Sequence, residues 1–313
     1  DGRGVKLYVN YDPRTDNKDN KRLITDGLGL LRTEFLYMDT PTPPTEDDQY
    51  RMYLAVLKRF DMRPTAIRLA DLGADKMPDF PLDEFDKDAN PFMGCRGIRL
   101  FLKNPDLLYT QLRAIVRTAC EVPAQVKIMI PMVSGVEEVR HVRTAFNEVL
   151  KEFEAKGKKP LNRVSLGAMI EVPAAAIALD GMIGELDFIS IGTNDLIQYL
   201  IAVDRVNQEV AHMYDPCHPA VARTINQIIQ TAHKRNKRVC ICGEIAADSR
   251  MLPLLLGLGV DALSVTPRMY LRVKNNIRNL NFENCSDLAQ AALLMGSSAE
   301  IRQLIDNNKN EDS

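Results

Sequence analysis

Five apolar runs of the sequence close on polar residues that could do chemistry. Arg32 and Glu34 follow Leu30-Leu31, Arg68 and Asp71 follow Ala66-Ile67, and Glu171 follows Met169-Ile170; Asn194-Asp195 follow Ile191-Gly192-Thr193, and Cys242, Gly243 and Glu244 follow Val239-Cys240-Ile241. Guanidinium groups bind phosphate and carboxylate oxygens bidentately and stay charged at any working pH. Glu171 and Asp195 offer hard oxygen donors of the kind that hold Mg²⁺ while leaving positions open for substrate oxygens. A thiol at the turn after a strand can give up a proton, and as a thiolate can take one back. Such a set describes a pocket for a small, highly anionic phosphorylated acid. Neutralisation of charge by cations and metal is the main demand of phosphoryl transfer.

Each residue also has a plainer use. Arg32 can pair with Glu34 or a nearby Asp, and Glu171 or Asn194-Asp195 can serve the N-terminus of the helix that follows. Cys242 can be a small buried hydrophobe. The four histidines (His141, His212, His218, His233) fall on helices or connections and suit structural roles. What separates the two readings is coincidence, because the polar residues must all reach one rim to act together.

The elements that would bring them there follow from the apolar pattern. Strands are expected over 5–10, 29–35, 65–71, 126–133, 165–172, 187–193, 238–244 and 261–267, eight in all. Between them lie amphipathic segments. EEVRHVRTAFNEVLKEFEAKG repeats apolar residues at three-to-four spacing and ends on Gly157, and PAVARTINQIIQTAHKRNK finishes on basic residues that suit a helix C-terminus. Eight apolar strands alternating with helices predict an α/β fold of the (β/α)₈ barrel type, with its active site at the carboxyl ends of the strands. The barrel is expected over 1–280. Segment 73–95, rich in Asp, Pro and Gly, is expected as an excursion over the mouth. The tail, 281–313, reads as helical and then frays over NKNEDS.

Composition narrows the class. The 313 residues carry 40 Lys+Arg against 42 Asp+Glu, a net charge of −2, with no basic stripe, so a nucleic-acid partner is not expected. An anionic ligand must therefore be met by a local cluster of cations. No run of about 18 apolar residues points to a membrane span. The start, DGRGVKLYVN, has neither an initiator Met nor a signal-type apolar stretch and reads as a domain within a longer chain. The six cysteines are scattered without a C-x-x-C pair, as in a reduced cytoplasmic protein.

The blocks DGLGLLRTEFLYMD, NPFMGCRGIRL, MIPMVSGVEEV, GAMIEVPAAA, FISIGTNDLIQYLIAVDR and CGEIAAD resemble, in order and over roughly 1–275, the C-terminal half of Enzyme I of the bacterial phosphotransferase system, the phosphoenolpyruvate–protein phosphotransferases. The resemblance implies a Mg²⁺-dependent TIM barrel of the PEP-utilising type. Such a barrel binds phosphoenolpyruvate (PEP) and presents its phosphoryl group to a histidine on a separate N-terminal domain, which this stretch does not contain. It further implies a cytoplasmic homodimer serving sugar transport, with the phosphocarrier HPr or its nitrogen-branch counterpart downstream. GCRGIRLFL leans toward the nitrogen-related paralogue. Carried over residue by residue, Arg32 and Arg68 hold the phosphoryl group and Arg205 makes a further PEP contact. Asn194 and Asp195 touch substrate, Asp195 and Glu171 ligate Mg²⁺, and Arg96 lines the same mouth. Cys242 protonates the methylene carbon of the departing enolpyruvate, releasing pyruvate.

The sequence departs from the family pattern in places. R-T-x-D-x-G-G-D-K stands here as Arg68-Leu69-Ala70-Asp71-Leu72-Gly73-Ala74-Asp75-Lys76, Cys95 replaces Trp, and Val206 replaces the Gly after Arg205. Ala74 would be strained at a backbone position needing positive φ. These changes bear on loop mobility and turnover more than on reaction type. Two alternatives stand: the PEP/pyruvate domain of a pyruvate phosphate dikinase or PEP synthase, which shares the same motifs, and, motivated by Leu69, Ala74 and Val206, a PEP-sensing regulator with weak turnover.

Overall fold

The computed structural model describes residues 4–15, 24–38, 40–73, 76, 78, 80 and 90–311. Its eight strands are β1 Lys6–Tyr11, β2 Leu28–Leu31, β3 Thr65–Arg68, β4 Val126–Ile130, β5 Ser165–Ile170, β6 Phe188–Gly192, β7 Val239–Cys242 and β8 Ala262–Val265. They follow one another in chain order around a closed barrel. The pairings are parallel, with Thr65 opposite Val126 between β3 and β4 and Gly192 opposite Cys242 between β6 and β7. Strands β2, β3 and β8 are buried at every position, as parallel strands covered on both faces must be. All eight expected strands are present, but the ladders stop two to four residues early at most carboxyl ends. Thr33, Glu34, Asp71, Glu171 and Glu244 lie beyond them, because their side chains bond elsewhere or face polar surroundings.

Twelve α-helices occur among the described residues: α1 Glu46–Arg59, α2 Ile98–Lys103, α3 Pro105–Glu121, α4 Val136–Ala155, α5 Pro173–Ile177, α6 Leu179–Met182, α7 Thr193–Ile201, α8 Pro219–Lys234, α9 Leu252–Gly257, α10 Tyr270–Arg278, α11 Phe282–Leu294 and α12 Ser298–Glu311. Local chemistry sets their ends. Thr45 and Asp48 form a reciprocal capping box at the start of α1, which opens on three acids and closes on Lys58 and Arg59. Pro219 starts α8, where a missing N–H costs nothing, and the His218 ring accepts the Ala220 N–H at 3.1 Å. None of the described helices is long and apolar enough to cross a membrane.

Two compact units make up the chain, one of Asn10–Met169 with Glu185–Phe188 and the other of Asp1–Val9, Ile170–Gly184 and Ile189–Ser313. The first has its core where β2, β3 and β4 meet α1, α3 and α4, with Ile67, Leu57, Ile115, Ile128 and Val142 fully buried. In the second, Ile189, Ile241 and Leu263 of the strands and Ile228 and Leu255 of the helices are fully buried. There α11 lies against α9 so closely that a Cβ on Gly257 would overlap the Cys285 carbonyl, so only glycine fits. The expected tail helices are α11 and α12. Helix α12 continues to Glu311, into the segment expected to fray, and residues 312–313 lie outside the described residues. Most of the expected excursion, including Ala74 and Asp75, also lies outside them, while residues 90–95 form turns.

Candidate active site

In the first unit the carboxyl ends of β2 and β3 carry a buried ionic cluster. Glu34 Oε1 accepts from Arg68 Nε at 3.1 Å, from Arg68 Nη2 at 2.6 Å and from the Asp71 N–H at 2.9 Å. Asp71 in turn faces Arg68 Nη1 at 3.3 Å and Lys76 Nζ at 3.1 Å, and takes a bidentate pair from Arg96 at 3.1 and 2.8 Å. Arg68, Arg96, Glu34 and Asp71 are all less than 5% exposed. A buried ion survives only when paired and hydrogen-bonded, and each carboxylate here meets both conditions. Burial pushes the Glu34 carboxyl up, but the Arg68 and Lys76 cations outweigh it and leave it lowered. At Asp71 burial likewise opposes ionisation, and Lys76, Arg96 and Arg68 hold the carboxyl well below its ordinary range.

Behind this cluster, Gln111 ties the two strand ends together. Its carbonyl accepts the Ala70 N–H at 3.0 Å and its amide donates to Thr33 Oγ1 at 3.0 Å, while the Thr33 hydroxyl donates to the Arg68 carbonyl at 2.8 Å. Arg32, one residue past β2, is exposed, and its guanidinium has no hydrogen-bond or ion-pair partner among the described residues. The plain pairing of Arg32 with Glu34 is therefore not made, because Arg68 occupies Glu34.

The second unit carries the other expected residues. Glu171 directly follows β5 and is 1% exposed, while Asp195 is 8% exposed in the first turn of α7. The cap of α7 is Gly192, so Asn194 and Asp195 are not the N-cap pair that the sequence also allowed. Nor does Glu171 sit at the cap of α5, a position held by Val172. Asn194 and Glu244 bind each other reciprocally: the Asn194 amide donates to Glu244 Oε1 at 3.1 Å, and the Glu244 N–H donates to Asn194 Oδ1 at 3.0 Å. Gly243 makes this clasp possible. Its φ is +123°, and a Cβ there would land on Thr193 Oγ1. Arg205 approaches Glu244 at only 3.8 Å, and its Nε is buried without a hydrogen-bond partner among the described residues. An orphaned buried donor of this kind calls for an acceptor that the described residues do not provide.

Cys242 departs from expectation in one respect. It was expected at an exposed turn, yet it is the last residue of β7 and 2% exposed. Its Sγ lies 3.4 Å from Ser190 Oγ and donates to the Ile191 carbonyl at 3.3 Å. The ladder ends on Cys242, inside the expected strand, and Gly243 makes the turn. Cys240, two residues earlier in β7, is half-buried and shares a face with Cys242, as two-residue alternation requires.

Glu171 and Asp195 suit Mg²⁺ by donor type, since both are buried carboxylates. No group of three or more His, Cys, Asp or Glu side chains able to hold a metal occurs among the described residues. The protein would thus supply two oxygen ligands and leave the rest to substrate and water, as is usual for this ion. Sequence reading assigned no role to Lys76, Gln111, Thr193 or Tyr214, and it offered Glu34 only as a partner for Arg32 and Glu244 only as a strand-end carboxylate. The signal for Glu34 and Asp71 was present, because strand-end arginines that are buried must find carboxylates nearby. Of the departures from the family pattern, Leu69 is fully buried in the core and Val206 is 58% exposed without positive φ, so neither strains the backbone.

Residues 1–282 match the family model described as PEP-utilising enzyme, PEP-binding domain. The chain is 39% identical over 306 residues to a phosphoenolpyruvate-protein phosphotransferase of Haemophilus influenzae, covering 98% of this chain and 52% of that protein. The protein of the same name from Priestia megaterium is 38% identical (97% of this chain, 52% of the relative), and that from Latilactobacillus sakei 40% (97% and 52%). The chain thus spans about half the length of the curated relatives it matches.

Proposed function

The chain belongs to the PEP-binding domain family of PEP-utilising enzymes, and from that premise we propose that it is the catalytic barrel of a phosphoenolpyruvate–protein phosphotransferase. It would bind PEP and Mg²⁺ and pass the phosphoryl group to a histidine on a separate domain, releasing pyruvate. The observation that carries this reading is positional. Arg32, Arg68, Glu171, Asn194, Asp195 and Cys242 each sit at, or within three residues of, the carboxyl end of their own strand, where barrels of this class do their chemistry. The name shared by the relatives favours a phosphotransferase over a dikinase or PEP synthase.

On this reading Arg32 and Arg68 grip the phosphoryl oxygens, with Glu34 and Asp71 fixing the Arg68 fork in advance so that little reorganisation is needed. Arg96 acts behind them by holding Asp71. Arg205 offers its unpartnered Nε to the substrate, and Asn194, clasped by Glu244, is fixed for a further contact. Glu171 and Asp195 would hold Mg²⁺, which when bound supplies positive charge against the substrate oxygens. When the P–O bond breaks, its electron pair stays on the enolate oxygen. The methylene carbon then takes the proton of Cys242, leaving pyruvate and a thiolate. Burial of the thiol keeps that proton from water. The histidine domain, the HPr-type phosphocarrier beyond it, a homodimeric state and a cytoplasmic setting complete the proposal.

Incubation of the chain with radiolabelled PEP, Mg²⁺ and a separately produced phosphohistidine domain tests it. Labelled histidine is the expected result. An unlabelled histidine, despite PEP binding seen by calorimetry, would refute phosphotransfer and leave a sensor.

A further inference from the structure

We propose that helix α12 is a strut that positions the Asn194 side of the candidate site, acting through Arg302, Asp215 and Tyr214. The inference rests on the function proposed above. Arg302 on α12 pairs with Asp215 at 2.6 Å, and the Asp215 side chain is only 16% exposed. Both oxygens of that carboxylate are engaged, since Oδ1 accepts the Cys217 N–H at 3.0 Å, and Ser298, also on α12, adds a further hydrogen bond. One residue back, the Tyr214 hydroxyl reaches the backbone carbonyl of Asn194 at 3.4 Å. Burial, and to a lesser degree the neighbouring Glu244 and Asp195, pushes this phenol far up despite Arg205. Tyr214 therefore keeps its proton and remains a donor.

The tail is anchored well enough to act as a support. Helix α11 starts with Asn281 accepting the N–H groups of Glu283 and Asn284, and it packs on α9 at Gly257. Its far end is held by Arg223 of α8, which donates to the Leu293 carbonyl at 3.2 Å and the Met295 carbonyl at 2.8 Å. Helix α12 then leaves from a fixed point. Beside the Arg302–Asp215 pair lies a cavity of about 230 Å³ lined in part by Tyr214, Cys217, Met251 and Ile305. The ion pair and its hydrogen bonds therefore bridge the Tyr214–Cys217 turn to α12 beside this space.

Arg302→Ala tests the strut without threatening the fold, because Arg302 is 55% exposed and alanine favours helix. Amide exchange at residues 214–218 should accelerate, and the PEP Kd measured with Mg²⁺ should rise about three- to fivefold, the upper end for a partly exposed pair. Arg302→Lys should restore both. Arg302→Gln, which keeps much of the side-chain length, should behave as Arg302→Ala and replaces it if that variant folds poorly. Exchange at wild-type rate overturns the proposal, and so does faster exchange with an unchanged PEP Kd. Should the wild-type chain bind no PEP at all, the functional reading falls. Exchange alone then decides the strut: acceleration reversed by lysine sustains it, and an unchanged rate sinks it.

Discussion

Replacing Asp71 with Asn would test whether charge, more than packing, holds the end of β3. Asp71 is fully buried and meets Arg68, Arg96 and Lys76 at 2.8 to 3.3 Å. Asparagine has almost the same shape and keeps one acceptor oxygen, so the substitution isolates the negative charge. Without it three cations crowd a space in which Glu34 is a carboxylate that still faces Arg68. Removing one partner from a buried ion pair costs about 3–5 kcal/mol. The retained oxygen argues for the lower end, about 3 kcal/mol. At about 2 °C per kcal/mol for a chain of this size, the unfolding midpoint near neutral pH should fall by about 6 °C. The pH dependence carries a sign. Asp71 ionises more readily folded than unfolded, so its stabilisation is complete above the ordinary carboxyl value of 3.8 and is lost as pH falls toward the lowered folded value. Calorimetric scans should therefore show a constant gap between wild type and variant from about pH 5 to 8, closing under stronger acid. Equal midpoints near pH 7, or a gap that widens on acidification, would refute the reasoning.

Three further outcomes are expected. Arg32→Ala should leave the melting midpoint within about 1 °C, since an exposed side chain with no partner among the described residues contributes about 0.5 kcal/mol or less, yet titration calorimetry should show PEP binding abolished; retained binding would remove Arg32 from the site. Cys242→Ala should bind PEP with an affinity close to wild type while solvent deuterium no longer enters the pyruvate methyl group, as followed by NMR, and continued exchange would mean another acid does the work. Gly243→Ala should cost about 1–3 kcal/mol in backbone strain, plus the displacement of Thr193, and should weaken PEP binding as the Asn194–Glu244 clasp opens. A wild-type melt for that variant would show that the turn tolerates a side chain.

The eight strands were legible because parallel strands buried on both faces read as short apolar runs, and Ile67, Ile128, Ile191 and Ile241 sit in the core as their runs imply. Their carboxyl ends were read too long. Nothing in a single sequence separates a polar residue still in the ladder from one that has turned to bond a distant group, as Glu34 does with Arg68 and Asp71. The strand expected over 238–244 likewise ran too long, since the ladder ends at Cys242 and the turn begins at Gly243 with its positive φ. Partner choice was the least legible feature. Arg32 and Glu34 are two residues apart and were natural partners, yet Arg68, 34 positions further on, takes the carboxylate. The Arg302–Asp215 contact joins residues still farther apart and left no periodic trace.

Pairing also divides the work among the arginines in a way that can be ranked. In the first unit Arg68, Arg96 and Lys76 face Glu34 and Asp71, so most of that positive charge is already answered, and an anion reaching Arg68 must share it with Glu34. Such a cation contributes direction more than net attraction. Among the described residues Arg32 has no such competitor, and Arg205 has only a long ion-pair contact to an exposed Glu244 and a buried Nε awaiting an acceptor. Alanine at Arg32 or Arg205 should therefore weaken PEP binding with little change in melting. Alanine at Arg68 should damage both, and alanine at Arg96 should lower the melting midpoint first by leaving Asp71 underpaired in the interior, a loss of about 3 kcal/mol or more. Calorimetry and thermal scans on the four variants measure the order. An Arg96→Ala protein that melts like wild type but cannot bind PEP would reverse it and place Arg96 against the substrate.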